Sequence, residues 1–139
     1  MVKKISYLLI MFALFIGFNN IVNAKESNYI VDFSRKGSID ITLHEDFKDT
    51  YVEGAEITIY HVADIYDNNS NLAHKFTEQF SGCEVSLEDI NKDGLHKELE
   101  SCITEETTGI SDLTDENGNV VFEDLTLGLY LVKQTNKVD

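Results

Sequence analysis

Asp115-Glu-Asn-Gly-Asn-Val-Val-Phe-Glu-Asp-Leu-Thr-Leu-Gly-Leu-Tyr-Leu-Val-Lys-Gln-Thr135 reads as a polar turn, a short strand, a second turn carrying Gly128, and a second strand. Asn117-Gly118 is a local hairpin signal, because both central residues of a type I′ turn take positive φ. Val120 and Phe122 alternate toward one face. Farther on, Leu129, Leu131 and Lys133 alternate against Tyr130, Val132 and Gln134, the period of a strand.

Upstream the same period recurs. In Gly37-Ser-Ile-Asp-Ile-Thr-Leu43, the side chains of Ile39, Ile41 and Leu43 point one way and those of Asp40 and Thr42 the other. Residues 45–53 form a charged turn. Gly54-Ala-Glu-Ile-Thr-Ile-Tyr-His-Val62 is the second strand, with Ala55, Ile57, Ile59 and His61 on one side. Tyr60 and Val62 are too apolar for an open face, so both faces are expected to be partly covered there. Residues 64–71 carry the Asn and Asp of a turn. Residues 72–80 follow as an extended segment anchored by Phe76 and Phe80.

Ser86-Leu-Glu-Asp89 has the pattern of a capped helix start. After Gly94, Leu95, Leu99 and Ile103 recur every four residues, as the apolar stripe of an amphipathic helix. The expectation is mainly β: a sandwich with a short helical insertion over one sheet face or edge. The expected core is Ile39, Ile41, Leu43, Ala55, Ile57, Ile59, Phe122, Leu129 and Leu131, with Gly54, Gly118 and Gly128 setting turns.

The order of these parts resembles the SpaA-like, Cna B-type domains of Gram-positive pilins and cell-wall surface proteins. The pattern Asp115-x-x-Gly-x-Val-x-Phe-x-x-Leu-x-x-Gly-x-Tyr-x-x-x-Gln134 matches their signature, and Val52-Glu-Gly-Ala-Glu-Ile-Thr-Ile-Tyr60 is similar to their second conserved strand. Gly37-Ser-Ile39 and Val85-Ser-Leu-Glu-Asp89 fall in the same order, so the resemblance spans roughly residues 37–135. The resemblance implies a prealbumin-like (Ig-like) β-sandwich, in a version with a helical insertion found in clostridia-like bacteria. Its role would be structural: a non-enzymatic stalk, pilin-like or adhesin building block. A secreted carbohydrate- or protein-binding module is the alternative.

Many such domains carry an internal isopeptide bond between a Lys and an Asn or Asp, assisted by a Glu. The chemistry needs a neutral amine in a dry core and a protonated acid. By resemblance the Lys position falls at His44 and the Glu position at Gln134. Neither side chain can perform the step, so no isopeptide bond is expected. His44 and Gln134 are expected instead to hydrogen-bond across the core. Proline is absent, so neither the Tyr-Pro-Lys pilin motif nor a Leu-Pro-x-Thr-Gly anchor is present in these 139 residues. The resemblance implies a further strand beyond Thr135, hence a domain at 37–139 that is C-terminally incomplete. Attachment to other surface domains or to the wall would run through the missing region.

At the other end, Lys3 and Lys4 precede an apolar run from Ile5 to Phe18, and Val22-Asn23-Ala24 is a small-residue cleavage pattern. This reads as a secretory signal peptide at 1–24, followed by a linker or arm at 25–36. The run is shorter than the ~20 residues of a spanning helix. The expected location is extracellular and wall-associated, with no mature membrane span in this chain. Of 11 basic residues two fall in the leader, leaving 9 against 25 acidic ones, a net charge of −16. Such acidity argues against nucleic acid and anionic membranes as partners.

Cys83 and Cys102 are the only cysteines. Export permits a disulfide between them. Two buried free thiols are the other reading. The four histidines, at 44, 61, 74 and 96, lack zinc-site spacing. Asp67, Asn69, Asn71 and Glu78 match a calcium-loop register except that Leu72 stands where Gly is required. No nucleophile elbow or phosphate loop occurs, so no cofactor, metal or catalytic residue is expected.

Overall fold

The computed structural model describes residues 31–138, which from Asp32 onward form one compact unit. The expected signal peptide at 1–24 and residues 25–30 of the expected arm lie outside the described residues.

The chain is mainly β, built from open sheets. β1 (Lys36–Thr42) pairs antiparallel with β7 (Asn119–Thr126), setting Ile39 opposite Phe122 and Ile41 opposite Val120. Two short strands, β2 (His44–Glu45) and β3 (Thr50–Tyr51), make a small hairpin between β1 and the next strand.

β4 (Glu56–Asn68) is the axis of the second sheet. Along one edge it pairs with β8 (Gly128–Gln134), from Ile57 to Asp64. Its other edge is shared: β6 (Ile110–Leu113) pairs with Glu56 to Ile59, and β5 (Asn71–Phe76) with Ala63 to Asn68.

Both faces of β4 are covered, as the apolar Tyr60 and Val62 require. On one face Ala55, Ile57 and Ile59 meet Val120, Phe122 and Leu125 of the first sheet, with Ile39, Ile41, Leu43 and Tyr130 at the margin. This is the apolar interior that a β-sandwich requires between its layers. On the other face Val62, Ala63 and Leu131 meet Phe80, Leu95 and Leu99. The register along β8 shifts between His61 and Ala63, so one extra residue intervenes. Adjacent Val62 and Ala63 therefore both reach this second core, each wholly buried. Leu129 and Leu131 belong to it too, not to the inter-sheet core.

Three expectations are corrected. Asn117-Gly118 does not close a hairpin: β6 and β7 lie in different sheets, and the chain crosses between them there. Only Gly118 takes positive φ, 71°, and its amide donates to Asp115 O at 2.9 Å. The Asp115 carboxylate accepts from the amides of Asn117 and Asn119, which fixes the turn from within. β7 and β8 likewise belong to separate sheets.

The true type I′ connection is Asn69-Ser70, with φ of 53° and 68°, between paired Asn68 and Asn71. The polar run at 64–71 is thus the outer half of β4, that turn and the first residue of β5. A ribbon projecting into solvent needs no apolar side chains to keep its ladder. β5 ends at Phe76, and a 3-10 turn (Glu78–Phe80) buries Phe80.

The capping pattern at Ser86 starts no α-helix. Ser86 Oγ accepts from the Glu88 amide and Asp89 Oδ1 from the Asn91 amide, two local turns that compete with helix. The helix of the insertion is α1 (Leu95–Glu100), entered through Gly94 at φ 79°. Its stripe is as read: Leu95 and Leu99 are buried and Ile103 is half-buried against the same cluster.

Candidate functional site

His44 stands in β2, just past the end of β1. Its Nδ1 lies 3.2 Å from Asp46 Oδ1 and its Nε2 3.3 Å from Asp49 Oδ1, and the ring meets Tyr51 edge-on. Gln134 is the last residue of β8, opposite Ile57, and its Nε2 donates to Asn136 O at 3.0 Å. The two side chains do not meet across the core as expected. Each sits at an exposed strand end with a polar partner two residues away, and a local contact needs less ordering than a cross-core one.

Two hydroxyl side chains, Thr58 and Thr114, enter the interior, and the sequence reading passed over both. Thr114 Oγ1 accepts from the Ala55 amide at 2.9 Å and donates to Val52 O at 2.6 Å. Thr58 Oγ1 joins Ser111 Oγ and Thr135 Oγ1, and Thr135 Oγ1 donates to the Glu56 carboxylate. Alternation on β4 puts Thr58 opposite Ile57 and Ile59, so a face shared with β6 and β8 was the available signal. Asn136 fastens the end of the sheet, accepting from the Glu56 amide and donating to Gly54 O. These groups satisfy one another.

His61 stacks on Tyr130, with ring centroids 4.7 Å apart and planes within 10°. Its Nε2 is buried, 3.3 Å from Asp64 Oδ1 but out of line for a hydrogen bond. Tyr130 Oη donates to Thr126 O at 2.8 Å. Burial, with a smaller contribution from the Asp64 charge, raises the Tyr130 hydroxyl above its ordinary pKa. Gly128 has no positive φ and sets no turn, contrary to expectation. A Cβ there would strike Ala63 O and the His61 ring, so the glycine allows β8 to lie close against β4.

Cys83 and Cys102 are joined in a disulfide, with Cα atoms 5.6 Å apart. It ties the two ends of the insertion over the second core. Beyond that core, on the same side of the β4–β5 ribbon, lies a groove of about 740 Å³. Its floor includes Ile65 and Leu72, and its wall is Leu87 and Ile90 of the insertion. Tyr66, Asn68, His74 and Glu88 also line it.

Among the described residues no group of three or more His, Cys, Asp or Glu side chains could hold a metal, and no helix is long and apolar enough to cross a membrane. Asp67, Asn69 and Asn71 of the calcium-like register build the turn at Asn69-Ser70, where the Asp67 carboxylate accepts from the Ser70 amide. No protein-family model, curated protein or solved structure matches this chain.

Proposed function

We propose that this chain is an exported, non-enzymatic surface module of a Gram-positive cell-wall protein, built on the prealbumin-like plan of SpaA-like domains. Its role is structural: a stalk, pilin-like or adhesin building block. The observation that supports this reading best is the placement of the signature residues. Ile39, Ile57, Phe122 and Tyr130, from three of the four parts of the resemblance, converge on one inter-sheet core. A disulfide holding the insertion suits an oxidising location outside the cell.

The chain carries no isopeptide bond in this reading. Intact mass should equal the sequence mass less the two hydrogens of the disulfide and the cleaved leader, with no loss of ammonia or water. The double variant His44→Lys, Gln134→Glu should leave that balance unchanged.

The deciding experiment is expression in a Gram-positive host followed by fractionation and N-terminal sequencing. The expected product begins at Lys25 and is found in the medium or released from the wall by muramidase. A product that keeps Met1 and stays in the cytoplasm overturns the reading.

A further inference from the structure

We propose that copies of this chain associate through a knob and a cleft, with Phe47 of one copy seated at the opposite end of the β1–β7 ladder of the next. The proposal adds a contact between copies to the structural role and does not depend on that role.

The cleft lies where the ladder begins. The register of β1 against β7 shifts between Gly37 and Ile39, which interrupts the regular pairing there. Gly37 and Gly128 bring no side chains, and the space left, about 270 Å³, is walled by Ile39, Leu125, Leu127 and Tyr130. A cavity of ~150 Å³ already accepts benzene, so a phenyl ring fits this one.

The knob stands past the other end of the same ladder. β1 runs on into the β2–β3 hairpin, roughly 20 Å from the cleft by strand rise. The tip is Asp46-Phe47-Lys48-Asp49, where turn chemistry favours polar side chains and Phe47 is nevertheless wholly exposed. The ladder keeps this ring away from the cleft of its own copy, so only a second copy can bring the two together.

Charge supports the same pairing. Arg35 and Lys36 lead into Gly37 at the rim of the cleft, and among the described residues neither makes an ion pair. Lys36 Nζ donates to Thr126 Oγ1. Asp64 at this end lies 3.3 Å from His61, and Asp124 adjoins Leu125. At the knob, Lys48 is paired with Glu45, while Asp46 and Asp49 have only the His44 ring as a described ion-pair partner. Those two carboxylates are thus available to the two free cations of the next copy. Copies of net charge −14 repel one another at long range, so the contact is weak and needs this local match. Knob and cleft are different surfaces, which makes the contact heterologous and able to propagate along a row of copies.

The test is sedimentation equilibrium of the protein purified from its Gram-positive expression host, from about 10 μM to about 1 mM. The expected weight-average mass is that of one copy at the low end and clearly higher at the high end, with Kd of about 0.3 mM. Phe47→Ala should weaken association about tenfold or more and leave the melting temperature unchanged, since the ring is wholly exposed. Gly37→Leu should do the same by filling the cleft: Gly37 has no positive φ, and a Cβ there meets only Leu127 Cδ2, at 3.9 Å. An equimolar mixture of the two variants should regain one contact, because one keeps the cleft and the other the knob, and its mass should not pass two copies. Amide shifts of the ¹⁵N-labelled parent on concentration should be confined to residues 37–39, 46–49 and 125–130, which reads the contact without any variant. A parent that remains a single copy at about 1 mM overturns the proposal. So does association of Phe47→Ala at the parent's strength, a shift map that omits either region, or a mixture with folded Gly37→Leu that stays single. Failure here leaves the export test untouched, since that test reads location and not association.

Discussion

The two faces of β4 are covered by different means. On one side the cover is a second β ladder: β1 and β7 are hydrogen-bonded along most of their length, and every second residue drops an apolar side chain onto Ile57 and Ile59. On the other side the cover is the insertion, in which one six-residue helix and a 3-10 turn are the only helical pieces. A helix that short has little stability of its own in water. Regular backbone pairing can hold a cover by itself; an irregular segment needs its ends fixed. The disulfide between Cys83 and Cys102 fixes them.

The largest expected effect is on the ladder side. Phe122 is buried between the sheets, in one cluster with Ile57, Ile59 and Val120. Phe122→Ala should cost about 3–5 kcal/mol. Urea denaturation should show the loss as a lower midpoint for the whole domain. A loss below ~1 kcal/mol would mean that the inter-sheet core is not the main source of stability.

Next in size is the covalent fastening. Replacing both Cys83 and Cys102 by Ser should cost about 3 kcal/mol, the chain-entropy value for a closed loop of this length. The sharper readout is its location. Amide exchange should accelerate at Leu95 and Leu99 while β1 and β7 keep their protection. Uniform loss of protection over both sheets would erase the distinction between the two covers.

Gly128→Ala tests the point where the faces meet. The added methyl would push on Ala63 O and His61, next to the register shift that turns Val62 and Ala63 toward the second core. A cost of about 1–3 kcal/mol is expected, with disturbed stacking of His61 on Tyr130. An unchanged Tyr130 environment by NMR would show that the close approach is dispensable.

The difference between the covers also explains what the sequence disclosed. Strands β1, β4 and β7 were legible because burial on one face imposes a period of two on Ile39, Ile41, Ile57, Ile59, Val120 and Phe122. The second core was half legible, through Tyr60, Val62 and the spacing of Leu95, Leu99 and Ile103. Partner choice was not legible. Asn117-Gly118 has the composition of a hairpin turn, yet the strands flanking it bury their faces in different sheets, and tertiary burial decides. Asn69-Ser70 lacks glycine but becomes the type I′ turn because β5 has β4 beside it. Along the groove beside the insertion, Ile65, Leu72 and Ile90 lie on three segments with no shared motif, so only the folded chain brings them together. The cross-core pairing of His44 and Gln134 failed for the same reason: counting positions from a glycine fixes register, not the direction of a side chain.

The smallest effect concerns an ion pair that ties α1 to the sheet. Lys133 Nζ on β8 is 2.5 Å from Glu100 Oε1 at the end of α1. Hydrogen bonding from Lys133, and then its charge, lowers the Glu100 pKa. The hydrogen bond to Glu100 raises that of Lys133 in return. For Glu100, whose folded value is depressed, the stabilisation is present above the unfolded value and disappears as pH falls through the folded one. For Lys133, whose folded value is raised, it is present below the unfolded value and disappears as pH rises through the folded one. The tether therefore acts over the broad middle range and is lost at both ends. Both groups are open to water, so global stability should hardly register it. Local opening of α1 should. The opening free energy of the helix amides, taken from exchange rates corrected for intrinsic pH dependence, should be highest at neutral pH and fall toward acid. Glu100→Gln should flatten the acid side. Salt should flatten it as well, because screening weakens an exposed pair. If Glu100→Gln leaves the profile unchanged, the disulfide and the buried leucines hold the insertion without help from charge.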